Sequence, residues 1–194
     1  MQTPPVEHLQ SPDDGIRNAA FRVLFQKWQM PIYRYLRGML GNHADADDAA
    51  QESWLQILRA IRQLDQPQAL TGWMFQIAHR KALDALTRRS RDRARSRPLE
   101  DMDHPAAPAL VDFDQGEQVF FEAVRALPAR QRQVFLLRYF EQLPYESIAQ
   151  ITGVGVNSLK TSHHWAVRKL SHQLRQGIPL QRLAPTPPHP PMNP

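Results

Sequence analysis

Residues 126–170 read ALPARQRQVFLLRYFEQLPYESIAQITGVGVNSLKTSHHWAVRKL, and their punctuation decides the fold. Pro128 and Pro144 each open a helix, a position where the missing N–H has no intrahelical partner to lose. Gly153-Val154-Gly155 then makes a short turn after a helix over 144–152. The last helix runs from about residue 156 to 175, with Leu159, Ala166 and Leu170 along one stripe. Adding helices over 117–126 and 128–141, this part of the chain predicts four. A short helix, a glycine turn and a longer helix form a helix-turn-helix pattern, which an ordinary helical hairpin also produces.

Upstream, the same periodicity predicts a second helical body. Ile16, Ala20, Val23, Leu24 and Trp28 line one face, and after Pro31 come Ile32, Tyr35, Leu36 and Met39. Gly41-Asn42 is a turn signal. Asp45 is the expected cap of a third helix, with Asp47 and Asp48 favouring its positive dipole end. That helix turns Ala50, Trp54, Ile57, Leu58 and Ile61 inward. Beyond the Gln66-Pro67 loop, Thr71 is the expected cap of a fourth helix carrying Trp73, Ile77, Leu83 and Leu86. No β-alternation of useful length occurs. The fold class is all-α: two small helical domains, a bundle at 16–92 and a helix-turn-helix domain at 117–176, joined by a flexible linker over 93–116. Thirteen of the 17 prolines cluster in the first twelve residues, around 98–108 and after Gly177. They predict a disordered N-terminus (1–15) and a disordered Pro-rich tail (177–194).

Charge narrows the function. The 194 residues carry a formal +5 and no cysteine, so a thiolate metal site and a disulfide framework are both excluded. The charge comes in blocks. Residues 79–97 are strongly basic, 98–124 hold no Lys or Arg, and from Ser147 onward there is no Asp or Glu. Such blocks point to a polyanionic partner. Neither a secretion-type start nor an apolar run of membrane-spanning length is present, so a cytoplasmic protein without membrane insertion is expected. Metal chemistry through His43, Asp45, Asp47 and Asp48, or through His163 and His164, is disfavoured. The first group caps a helix, and adjacent histidines point to different faces of one. With no phosphate loop and no nucleophile–base set, neither a cofactor nor catalysis is expected.

Two stretches together carry a family resemblance: DADDAAQESWLQILRAI (45–61) with WMFQIAHRKALDALTRR (73–89), and the 126–170 segment. In that order and spacing they resemble the sigma-seventy family, in particular its extracytoplasmic-function group, which keeps only the second and fourth domains. The resemblance implies a promoter-directing subunit whose partners are core RNA polymerase and promoter DNA, with an anti-sigma factor or a kinase as candidate regulators. It places the polymerase contact on Asp47, Asp48, Gln51 and Glu52. The −10 element contact falls on Gln76, His79, Arg80, Lys81 and Asp84. The −35 element contact falls on Asn157, Ser158, Lys160, Thr161, His164, Trp165 and Arg168. Arg80 stands where the family usually has Asn, and Ser162, Trp165 and Val167 stand where it often has Arg.

Promoter opening sets an energetic bound. Each base step unstacked costs about 1.4 kcal/mol, and an aromatic platform returns roughly 1–3 kcal/mol per base. A chain of this size therefore traps one or two bases while a larger partner holds the rest. Fully extended, 97–114 spans about 60 Å, against roughly 68 Å for two helical turns of DNA, so with the width of the domains the linker reaches. The alternative reading is a stand-alone helix-turn-helix regulator, which would bind operator DNA tightly by itself.

Overall fold

The computed structural model describes residues 3–95 and 115–177. The expectations placed on 96–114 and on 178–194, the acidic tether and the Pro-rich tail, lie outside the described residues. Every regular element among the described residues is helical: α1 (Val6–Leu9), α2 (Asp14–Leu40), α3 (His43–Ala60), α4 (Leu70–Arg95), α5 (Gln115–Arg125), α6 (Ala129–Tyr139), α7 (Tyr145–Thr152) and α8 (Val156–Gly177), with short 3-10 turns between α3 and α4. None of these helices is long and apolar enough to cross a membrane.

The disorder expected for 1–15 is not what residues 3–15 show. Val6 and Leu9 of α1 are buried, and the Gln10 side-chain amide donates to the carbonyls of Ile61 (3.2 Å) and Leu64 (2.8 Å). Two apolar anchors directly after Pro4-Pro5 are too sparse a signal to read as an element in sequence. The Asp13 carboxylate then caps α2, accepting from Gly15 N and Ile16 N.

Pro31 does not open a new helix, as the sequence predicts; it sits inside α2. A proline in a helix interior costs about 3 kcal/mol. Leu24, Ile32, Tyr35, Leu36 and Met39 lie on one buried stripe across it, and each such burial returns roughly 1.5–3 kcal/mol. Packing wins. The helix stops at Gly41, which takes φ 83°, a left-handed conformation suited to glycine.

Two expected caps move. Asn42, not Asp45, caps α3, its side-chain oxygen accepting from Asp45 N at 2.8 Å; α4 begins at Leu70, one residue before Thr71. Three expected core residues lie outside: Ile16, Leu58 and Leu83 are exposed. On α3, Ala46, Ala49, Ser53, Trp54 and Ile57 take the inward stripe, and Phe21 and Phe25 of α2 pack edge-on against Trp54.

In the second module α7 ends at Gly153, with φ 70°, and α8 buries Leu159, Ala166 and Leu170 against α6 and α7. Helix α6 buries four consecutive residues, Val134 to Leu137. A helix apolar on every side must be covered on every side. One side meets the aromatic rings of Phe120 and Phe121 from α5. The other meets the first module: α5 and α6 lie on α2, and α7 lies on α4. The approach of α6 to α2 is close because residue 38 is glycine, where a Cβ would come within 2.6 Å of a Leu136 methyl. Around this contact the Arg132 guanidinium donates to Met39 O at 3.0 Å, and Arg34 pairs with Glu117 at 3.1 Å. The docking of the two modules is a finding of the structure alone.

Candidate nucleic-acid and partner interfaces

Three outward faces emerge from this packing. The first is on α3. Because Ala46, Ala49, Ser53 and Ile57 point inward, positions 48, 51, 55 and 58 point out. Asp48 and Gln51 are exposed, and Leu55 and Leu58 are 45% and 44% exposed on the same stripe. An acidic and amide head followed by two uncovered leucines is what a partner with a basic rim and an apolar groove would bury. The sequence reading missed both leucines. They lie at i+7 and i+10 from Asp48, on the same face as Gln51 at i+3, but the sequence pattern places Leu58 in the core.

The other three acidic residues of α3 are engaged within the chain. Glu52 pairs with Lys81 at 3.1 Å and Arg88 at 3.3 Å, both from α4. Hydrogen bonding from Lys81 holds the Glu52 carboxyl below the usual carboxylate range. Asp47 faces α2 instead: burial raises the Tyr33 pKa and the Asp47 charge raises it further. Asp45 pairs with Arg89 at 3.8 Å.

The second face is on α4, and it divides the five residues expected there. Gln76, Arg80 and Asp84 recur at i+4 and share one side; Arg80 and Asp84 are exposed and Gln76 is half-buried. Thr87 and Arg91, both exposed, continue that side and were not singled out in the sequence. Half-buried Trp73 stands at its start. Lys81 is turned about 140° away from Gln76, toward Glu52. His79 corrects the expectation outright. It is 4% exposed, on the inward stripe with Phe75, Ala78 and Ala82, and its Nδ1 is 2.7 Å from the Tyr35 hydroxyl. Burial lowers its pKa, which disfavours the charged imidazolium inside the bundle.

The third face is on α8. Asn157, Ser158, Lys160, Thr161, His164, Trp165 and Arg168 are all exposed, opposite the stripe of Leu159, Ala166 and Leu170. Trp165 is 45% exposed, with the Arg168 guanidinium 5.1 Å from its ring centroid. Arg175, exposed and on the same side, extends the face. Below α8 the Tyr145 hydroxyl lies 2.9 Å from His163 Nδ1, fixing α7 against it.

Two helical modules, one with a second helix presenting a polar outer face after a glycine turn, define the helix-turn-helix architecture with an appended helical bundle. The comparisons with known proteins resolve the class further. The family model for Sigma-70 region 2 matches residues 24–92, and that for Sigma-70, region 4 matches 118–170. The chain is 30% identical over 144 residues to the RNA polymerase sigma factor SigV of Bacillus subtilis (strain 168), covering 74% of this chain and 84% of that one. It is also 30% identical over 175 residues to the ECF RNA polymerase sigma factor SigD of Mycobacterium tuberculosis (strain ATCC 25618 / H37Rv), covering 82% and 79%. Among solved structures, the sigma factor RpoE of Bartonella quintana, in complex with the anti-sigma factor NepR, shares the fold. Its TM-score is 0.65 at 21% identity, over 80% of this chain and 96% of that one. The chain belongs to the sigma-70 family, in its extracytoplasmic-function group. It is a sigma factor, a subunit that directs RNA polymerase to promoters.

Proposed function

We propose a division of that activity among the three faces. Asp48, Gln51 and Leu55, extended by Leu58, seat the chain on core polymerase. Gln76, Arg80 and Asp84 face the −10 element, with Arg80 adding phosphate attraction. Residues 157, 158, 160, 161, 164, 165 and 168 face the −35 element. The observation that supports this most is the α3 stripe: an acidic and apolar surface left uncovered on a chain that is otherwise basic. Asp47, Glu52 and Lys81 act behind these faces. Asp47 sits against α2, and the Glu52 bridge to Lys81 and Arg88 fixes α4 on α3, so the two faces keep one relative orientation. His79 is a packing residue.

Binding is the whole of the chain's contribution, with no catalytic step of its own, and the cytoplasm, where polymerase and promoter are, is where it acts. A gel shift without core enzyme, beside run-off transcription with it on genomic promoter fragments, tests the reading. Weak DNA binding alone and specific transcripts only with core enzyme are expected. Tight, sequence-specific binding by the isolated chain with no transcript from any template would mean a stand-alone regulator.

A further inference from the structure

Tyr145, the first residue of α7, joins α6, α7 and α8. The Arg138 guanidinium of α6 lies 5.4 Å from its ring centroid, and the Lys160 Nζ of α8 lies 5.9 Å from it. Its hydroxyl is 2.9 Å from His163 Nδ1. The imidazole in turn stacks on Phe135 of α6, with ring centroids 6.4 Å apart and planes 27° from parallel. Arg138 is itself anchored: its Nη1 donates to Gln142 O at 2.8 Å and Leu143 O at 3.1 Å, in the turn that leads into α7. Lys160 belongs to the exposed face of α8, while His163 is half-buried between that face and the core.

The rest of the packing sets the rotation of α8 about its own axis only loosely. Among the described residues between Leu159 and Leu170, the one buried side chain is the methyl of Ala166. Those three residues lie within about 40° of arc, a narrow ridge with a small middle. The turn before α8 adds little. A Cβ on Gly153 or Gly155 would meet nothing within 4 Å, and Val154 between them is half-buried. Apolar contact is non-directional, so such a ridge tolerates rocking, whereas a hydrogen bond holds only over a narrow range of distance and angle. Rocking by about 20° moves a side-chain tip about 6 Å from the axis by roughly 2 Å, enough to break a hydrogen bond to a base edge. His163 suits the task of a pin. Burial, and then the charges of Arg138 and His164, lower its pKa and disfavour the imidazolium. In the neutral ring Nδ1 is either donor or acceptor, and a tyrosine hydroxyl can take the complementary role.

We propose that the Tyr145–His163 hydrogen bond fixes the rotation of α8 and thereby sharpens base discrimination at the −35 element. Tyr145 and His163 are positioning residues rather than base contacts. The inference rests on the reading of α8 as the −35 face and adds the device that aims it. A rotated helix loses discrimination before it loses attraction. Phosphate contacts carry no sequence information and need no exact aim, whereas base contacts must meet donors and acceptors fixed on the groove edges.

The test uses the full chain assembled with core enzyme. Selection from promoter duplexes randomised in their upstream half gives the preferred sequence, and titration of that duplex beside a scrambled one gives a discrimination ratio. Measurements are made where circular-dichroism melts show each variant folded. Tyr145→Phe removes the hydroxyl and keeps the ring beside Lys160 and Arg138. It should lower the ratio by about tenfold, with scrambled-duplex affinity and salt slope unchanged. His163→Leu should do the same, and the double variant should be no worse than either single one, because both changes remove one bond. His163→Asn, whose side-chain amide can still bond the hydroxyl, should stay close to the native ratio. An unchanged ratio in Tyr145→Phe and His163→Leu overturns the proposal, as does an equal loss on both duplexes, or His163→Asn falling as far as His163→Leu. A native holoenzyme that selects no upstream sequence overturns the −35 reading itself, and this inference with it.

Discussion

Tyr35 and His79 show how burial changes the meaning of a polar residue. Both are sealed in the bundle, and each supplies the other's hydrogen-bond partner at 2.7 Å. Tyr35→Phe strands the imidazole, a loss of about 1–3 kcal/mol for an unsatisfied buried group. Thermal melts should show that destabilisation, while promoter preference in run-off transcription stays as it was; a changed preference with an unaltered melt would put His79 back at the DNA. Glu141 makes a second case. Burial pushes its carboxyl up to about 7, against the pull of the Arg34 guanidinium. Because the folded value lies above the ordinary carboxylate value, the native state binds the extra proton. The stabilisation from that proton is present at low pH and is lost as pH rises from about 4.5 to about 7. Glu141→Gln should therefore flatten this part of the stability–pH curve and raise Tm at pH 8. Parallel curves for the two proteins would show that Glu141 titrates normally.

At the scale of elements, each helix was legible where its face was unambiguous. The stripe of α8 follows directly from Leu159, Ala166 and Leu170. α3 was harder, because Ile57 and Leu58 are adjacent and equally apolar, and only the neighbouring α2 and α4 decide which turns in. Asp48→Ala with Leu55→Ser should lower core polymerase affinity by about tenfold or more, about 1.4 kcal/mol or beyond, with little change in Tm because both positions are exposed; fluorescence titration against core enzyme measures it. On α8, Lys160→Ala should reduce the slope of log affinity against log salt in promoter binding by about one unit. A slope that does not move would take Lys160 off the phosphate backbone.

At the scale of the molecule, the docked modules and a promoter impose different distances. A compact body of this size has a radius of gyration of about 15 Å, whereas two promoter elements two turns apart lie roughly 68 Å from one another. On the proposed division of faces, binding both elements requires the modules to part. Energy transfer between dyes on α3 and α8 should fall sharply when core enzyme and promoter are both added. Gly38→Val, which crowds Leu136, should lower it in the free chain already; an unaltered signal in both would mean that α6 does not rest on α2 in solution.

The sequence by itself determined the all-helical class, the glycine turn before the recognition helix and the family. Each rests on short-range periodicity and on motifs that lie within a few turns of chain. Tertiary structure alone decided which polar residues reach the surface. It buried His79, turned Asp47 toward Tyr33 and drew Glu52 to Lys81 and Arg88. It also carried α2 through Pro31, folded α1 onto the bundle and set His163 against Tyr145. The physical reason is that helical periodicity fixes which residues share a face, but rotation about the helix axis is set by the neighbour that covers that face. Those neighbours are separated in sequence by as many as 98 positions, as Gly38 and Leu136 are.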